Sequence, residues 1–196
     1  MSWLVRLLVV QIHHYRVVGV LNMKHYILIQ FVGFVAVGVS LWVFQINNRH
    51  TMLKLMVLSA LLYATHFYFL GAYTGAAMNL LGAGRNIVFI KSNNRTKWLP
   101  AGFIVLFVIA TIITWQGPLS LLPLGGMIGG TLAFWQTNTS RIRRLALMSP
   151  PLWFTYNFIS GSYPGMLIEV IMLSSNLIGT WRFDLRPAKH ISKTKL

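Results

Sequence analysis

The chain has 196 residues, 56% of them hydrophobic, and sets 17 Lys and Arg against two acids, Glu169 and Asp184, for a formal net charge of +15. A mean hydropathy of +0.63 with so few charges argues against a water-soluble fold, whose surface needs many more charged side chains. The absence of cysteine removes disulfides, thiolate nucleophiles and Cys-based metal sites.

The basic residues stand in short clusters between apolar runs, which is how a membrane protein marks its cytoplasmic loops and is not the pattern of a nucleic-acid surface. Residues 1–26 read as an N-terminal extension, interfacial or disordered, because Arg6 and Arg16 would each cost roughly 2.5–3.5 kcal/mol in a membrane core. The stretch lacks the uninterrupted apolar core and cleavage site of a signal peptide, and Met23 is an alternative start.

From there the apolar runs predict seven spans near residues 27–46, 51–70, 72–90, 99–115, 119–136, 145–160 and 163–183, each about the 20 residues a bilayer requires. The first connection holds Arg49, the third Lys91, Arg95 and Lys97, and the fifth Arg141, Arg143 and Arg144, while the tail from 184 to 196 adds more. The second, fourth and sixth connections, around Gly71–Gly75, Gln116–Pro118 and Gly161–Gly165, carry no charge. This alternation predicts an all-α membrane protein with its N-terminus outside and its C-terminus in the cytoplasm.

Self-comparison finds an internal repeat. The run Leu62 to Gly75 recurs as Leu152 to Gly165 in the frame L-(Y/W)-x-T-x-x-(Y/F)-x-x-G-x-Y-x-G, and at the same offset Asn79 falls on Glu169 and Asn86 on Asn176. With one gap, Gly38, Leu41 and Gln45 fall on Gly129, Leu132 and Gln136. The expected organisation is therefore a three-span repeat over 27–90, a basic loop and linker span over 91–118, and a second three-span repeat over 119–183. An odd linker makes the copies parallel, related by an axis along the membrane normal, with a shared cavity between them.

Asn79 and Asn86, and likewise Glu169 and Asn176, are seven residues apart and so share a helix face. Together they predict a polar site at mid-membrane with Glu169 as its chief residue, since intramembrane acids mark pathways or ion pairs. The plainer alternatives are that Glu169 pairs with Arg85 and that the asparagines are interhelical glue, although Arg85 is also placed to snorkel to the cytoplasmic surface. His66, its repeat mate Tyr156 and neighbouring Asn157 sit near the outer ends of their spans, where a gate would close. Trp42, Tyr63, Trp98, Trp115, Trp153 and Trp181 read as an interfacial aromatic belt. No H-E-x-x-H, G-x-S-x-G or P-loop is present, so no enzyme, cofactor or metal site is expected.

His66-Phe67 with Leu70-Gly71-Ala72-Tyr73, Arg85, Asn157-Phe158 with Gly161, Ile168-Glu169, and Asn176 with Trp181-Arg182 resemble the YgjV family of bacterial inner-membrane proteins over roughly residues 30–183. The resemblance implies the location more than an activity. The three-one-three plan is also similar to SWEET sugar facilitators and PnuC vitamin-precursor transporters, in which an Asn of span 3 and one of span 7 face the substrate. Asn86 and Asn176 match those positions, but Gly38 and Gly129 stand where prolines of spans 1 and 5 are expected. The resulting expectation is an inner-membrane transporter or facilitator of a small polar solute, lined by Glu169, Asn79, Asn86, Asn176, His66 and Asn157. The competing expectation is a non-transporting membrane module that binds a partner protein or lipid. Lipid is the certain partner, with a solute and a second copy of the chain as further candidates and nucleic acid excluded.

Overall fold

The computed structural model describes residues 23–43, 45–46, 48–91, 98–136 and 138–185. The expectations for residues 1–22, for Arg95 and Lys97, and for the tail from 186 onward lie outside the described residues. Those described are helical, with no strand among them.

The helices are α1 (Met23–Val43), α2 (Arg49–Phe69), α3 (Tyr73–Lys91), α4 (Leu99–Ile113), a 3₁₀ turn Pro118–Ser120 leading into α5 (Leu121–Trp135), α6 (Thr139–Ala146), α7 (Ser149–Ser160) and α8 (Tyr163–Thr180), followed by a π turn Trp181–Leu185. Met23 to Tyr26, read from sequence as part of the extension, form the first turn of α1. Among the described residues two helices, Met23–Val43 and His50–Phe69, are long and apolar enough to cross a membrane, while Leu99–Ile113 and Pro118–Ala133 are apolar but shorter.

Local sequence explains the breaks. Asn48 caps α2 by accepting from the backbone N–H of His50 and Thr51, and Asn138 caps α6 in the same way through Ser140 and Arg141. After Asn48 the chain runs as one helix, but after Asn138 it stops at Ala146 and restarts at Ser149. Pro150 and Pro151 cause the restart: neither can donate an intrahelical hydrogen bond, and both fit only a helix's first turn. The single span expected over 145–160 is thus the second half of a broken helix. Gly71 (φ 74°) and Gly161 (φ 70°) close α2 and α7 in the left-handed conformation that favours glycine.

Within the bundle α1 packs on α2, α2 on α3, α5 on α6 and α7, and α7 on α8; α4 bridges α3 and α5. Two further contacts join the halves, α1 with α8 and α3 with α5. The core is centred on Phe67, whose ring lies 6.2 Å from that of Tyr63 and 5.9 Å from those of Trp153 and Tyr156. Tyr63 and Trp153 therefore belong to the core and not to an interfacial belt, whereas Trp42, Trp98, Trp115 and Trp181 are exposed as the belt reading expects.

The surface is apolar and the interior partly polar. Phe31, Leu28, Ile112 and Ile113 are exposed, while His66, Thr74, Thr131, Asn157 and Ser162 are buried. Such a surface would aggregate in water but suits lipid, where packing and interhelical hydrogen bonds hold helices together.

Candidate functional site

Two polar regions occupy the interior, one closed by its own hydrogen bonds except at Gln30 Oε1 and Asn157 Oδ1, and a more open one around the half-buried Glu169. The closed region lies at the end of the bundle that contains the start of α1, the α2–α3 turn, the α4–α5 connection and the α7–α8 turn. Gln116 ties two of these together, its side-chain amide donating to Gly71 O at 2.8 Å, and Gln30 ties the others by donating to Gly161 O at 2.8 Å.

His66 is fully buried there. Its Nδ1 lies 2.8 Å from Ile29 O and its Nε2 2.8 Å from Ser162 Oγ. A carbonyl only accepts, so Nδ1 carries the ring proton, Nε2 accepts, and the Ser162 hydroxyl donates to it. Ser162 Oγ in turn accepts from Gly165 N–H at 3.2 Å, capping α8. From the other half, Tyr156 reaches back: its hydroxyl oxygen accepts from Gly75 N–H at 2.9 Å near the start of α3. Both close approaches require glycine. A Cβ on Gly75 would meet the Tyr156 ring at 2.7 Å, and one on Gly165 would overlap the Asn157 amide and the Ser162 hydroxyl. Thr74 completes the region, donating to Thr114 O at 2.7 Å with Ser120 Oγ 3.0 Å away.

The residues expected to form one site are distributed. His66 and Asn157 belong to this closed end, and both ring nitrogens of His66 are engaged by protein atoms. Asn157 is buried with its Oδ1 unpaired. On α3, Asn79 donates to Gly75 O of its own helix at 2.9 Å. Asn86 accepts from Arg85 Nε at 3.4 Å and Nη2 at 3.3 Å, while Arg85 Nη1 donates to Thr131 on α5 at 2.8 Å. Arg85 is buried by these partners rather than snorkelling to the surface. Asn176 is half-buried on α8, two turns from Glu169. Among the described residues no hydrogen bond joins the α3 asparagines to Glu169 or Asn176.

The open region surrounds Glu169, which is half-buried. Its helix neighbours Ile168 and Met172 both pack against the core, so the carboxyl lies on or beside the inward arc of α8. Tyr63 of α2 belongs to the same core cluster as Ile168, the neighbour of Glu169 on α8. The Tyr63 hydroxyl is buried and makes no hydrogen bond. One turn earlier on α2, Ser59 lies 2.6 Å from Ser40 of α1, so one hydroxyl donates to the other, whose own proton goes to Ala36 O. Among the described residues no ion pair involves Glu169; the pair found is Arg143 with Asp184. Sequence reasoning missed Tyr63, Ser40 and Ser59, because only tertiary packing brings α1, α2 and α8 together here.

Arg143 and Asp184 lie outside the spans expected from sequence, joining α6 to the π turn through two parallel bonds, one of them Nε to Oδ2 at 3.1 Å. Hydrogen bonding to the guanidinium holds the Asp184 carboxyl below its ordinary range, and the same bond raises Arg143. No cluster of three metal-ligating side chains occurs among the described residues.

Comparison with known proteins agrees with the apolar surface. Residues 27–186 match the family model Imp-YgjV, described as a bacterial inner membrane protein. The chain is also 32% identical over 169 residues to inner membrane protein YgjV of Escherichia coli (strain K12), covering 84% of this chain and 90% of that protein. No solved structure matches. An apolar exterior, a polar interior and this match over nearly the whole described length lead to one assignment: the chain belongs to the Imp-YgjV family of bacterial inner membrane proteins.

Proposed function

We propose that this protein moves a small polar solute across the inner membrane by alternating access between two parallel three-helix units, with Glu169 at the site. In this reading α1–α3 form one unit, α5–α8 the other, and α4 links them. The chain crosses seven times, with the start of α1 on the periplasmic side and the basic end, where Arg143 and Arg182 lie, in the cytoplasm.

Several features ninety residues apart support the duplication. Asn48 and Asn138 cap alike, and Gly71 and Gly161 turn alike. His66 and Tyr156, at matching positions, each reach into the opposite unit at the start of its third helix. The contacts α1 with α8 and α3 with α5 are the two halves of one exchange: first helix against third helix in both directions. A twofold relation between the units would generate such a pair.

The observation that carries the function is Glu169, an acid beside the core on the helix that packs against the opposite unit, with no ion pair among the described residues. Groups of this kind are costly inside a membrane and mark functional sites. A screen of the purified protein against sugars, nucleosides and vitamin precursors tests it, since ligand binding to the native state raises the melting temperature. A solute that stabilises the protein and loses its effect in a folded Glu169→Gln variant supports the reading. A flat screen, together with unchanged uptake when the gene is deleted, removes it and leaves a non-transporting membrane module.

A further inference from the structure

The basic end of the bundle carries a second binding surface, independent of any transport. We infer that the short helix α6 lies at the membrane interface and that its Arg141 and Arg144 hold the phosphate of an anionic phospholipid, beside the exposed Trp181 and Leu185 of the π turn.

The starting point is the break in the second unit. Asn48 and Asn138 cap their helices alike, yet only the helix after Asn138 stops and restarts. This leaves Thr139–Ala146 as a separate helix of eight residues, about 12 Å long and far too short to cross a bilayer. Its residues divide by side: Ile142, Leu145 and Ala146 fall together and are half-buried, whereas Arg141 and Arg144 fall together and are exposed. A helix with one apolar and one basic side suits the plane of the interface.

Arg143 fixes this helix in place. Its stem passes α8 at Gly179, where an added Cβ would stand 3.4 Å from Cδ, and its guanidinium binds both carboxylate oxygens of Asp184. That bond holds the π turn against α6 and also occupies the acid. The sequence contains only two acidic side chains, and the other, Glu169, lies about three turns before the end of α8. The charges of Arg141 and Arg144 therefore find no further carboxylate side chain in the chain, and an anion from outside complements them.

The geometry and the surroundings identify the anion. Arginines three residues apart on a helix stand about 5–6 Å apart at their Cβ atoms, and each guanidinium presents a planar fork that matches phosphate oxygens. Around them the surface is apolar: Met148, Trp181 and Leu185 are each more than half exposed. A soluble phosphate or an acidic peptide would meet the charges and leave those side chains uncovered. A phospholipid meets both, with its phosphate at the arginines and its chains beside Trp181 and Leu185.

The test is thermal unfolding of the full-length protein in dodecyl maltoside, titrated with phosphatidylglycerol, phosphatidylcholine or inorganic phosphate. Phosphatidylglycerol is expected to raise the melting temperature in a saturable way that the other two do not reproduce. Arg141→Gln and Arg144→Gln are each expected to weaken the apparent affinity for phosphatidylglycerol about fivefold, and the double variant about 25-fold. Lys54→Gln with Lys91→Gln removes two exposed charges elsewhere, and should change that affinity by less than about twofold. Arg141→Lys with Arg144→Lys keeps the charge and loses the forks, so its affinity should fall between wild type and the double glutamine variant. If the double glutamine variant does not fold, the lysine pair decides, and an unchanged affinity there overturns the inference. An equal loss in the Lys54 and Lys91 control would mean diffuse attraction with no site. Stabilisation by inorganic phosphate to the same extent would remove lipid as the occupant, and no response to phosphatidylglycerol would remove the site altogether.

Discussion

The closed end around His66 and the open region around Glu169 are built from similar materials and treat them in opposite ways. At the closed end, His66 binds Ser162, Tyr156 binds Gly75, Thr74 binds Thr114 and Gln116 binds Gly71 at 2.7–2.9 Å, with Gln30 Oε1 and Asn157 Oδ1 left unpaired. Around Glu169, a half-buried acid beside the core has no ion pair among the described residues. In a membrane interior every polar group carries a desolvation cost. Polar groups that bind each other make structure, and groups that do not are where a ligand gains most.

Substitutions should separate the two regions, most strongly at the closed end. Gly165→Ala places a methyl group into the Asn157 amide and the Ser162 hydroxyl, and should cost about 3 kcal/mol, the upper end of overpacking. It would appear as a large fall in melting temperature in detergent. His66→Leu leaves Ile29 O and Ser162 Oγ without their ring partner, at about 1–3 kcal/mol given the modest worth of such bonds in lipid. His66→Gln, which can donate and accept, should recover part of that loss.

At the open region the expected effect on stability is smaller. Glu169→Gln replaces a carboxyl that makes no ion pair among the described residues, so the apparent melting temperature without ligand should hold or rise by less than about 1 kcal/mol equivalent, while ligand-dependent stabilisation disappears. A large loss of stability in this variant would place Glu169 among the structural groups and erase the contrast.

The smallest effect belongs to the Arg143–Asp184 pair, outside the spans expected from sequence. The folded state holds the Asp184 carboxyl below its ordinary range, so its contribution is fully present above the usual carboxylate pKa and fades as pH falls through the lowered value. The difference in melting temperature between wild type and Asp184→Asn should be constant from pH 5 to pH 8, and shrink only below about pH 4. Because the pair sits at the basic end, added salt should narrow the difference as well.

Local sequence made part of this legible. The frame from Leu62 to Gly75 and Leu152 to Gly165 located the two glycine turns and the positions of His66 and Tyr156, because turns and helix starts are written in nearby residues. It did not tell where those side chains go. His66 finds Ser162, and Tyr156 finds Gly75, across 96 and 81 residues of chain. Periodicity also misplaced Tyr63 and Trp153 in an aromatic belt, since their proximity to helix ends looks the same whether a helix faces lipid or another unit. Arg85 was misread for a related reason: Thr131, 46 residues away, supplies the acceptor that lets it stay buried. Pro150 and Pro151 were visible, yet the apolar run around them suggested one span where the helix restarts.

A cysteine-free chain allows a direct test of whether Glu169 faces a polar seam between the units. In a single-cysteine Glu169→Cys protein in native membranes, reactivity is measured with a small water-soluble methanethiosulfonate and with a lipophilic maleimide. The account predicts labelling by the water-soluble reagent, slowed when a solute that stabilises the protein is present. Labelling by the lipophilic reagent alone would mean that position 169 faces the bilayer and that no solute path runs past it.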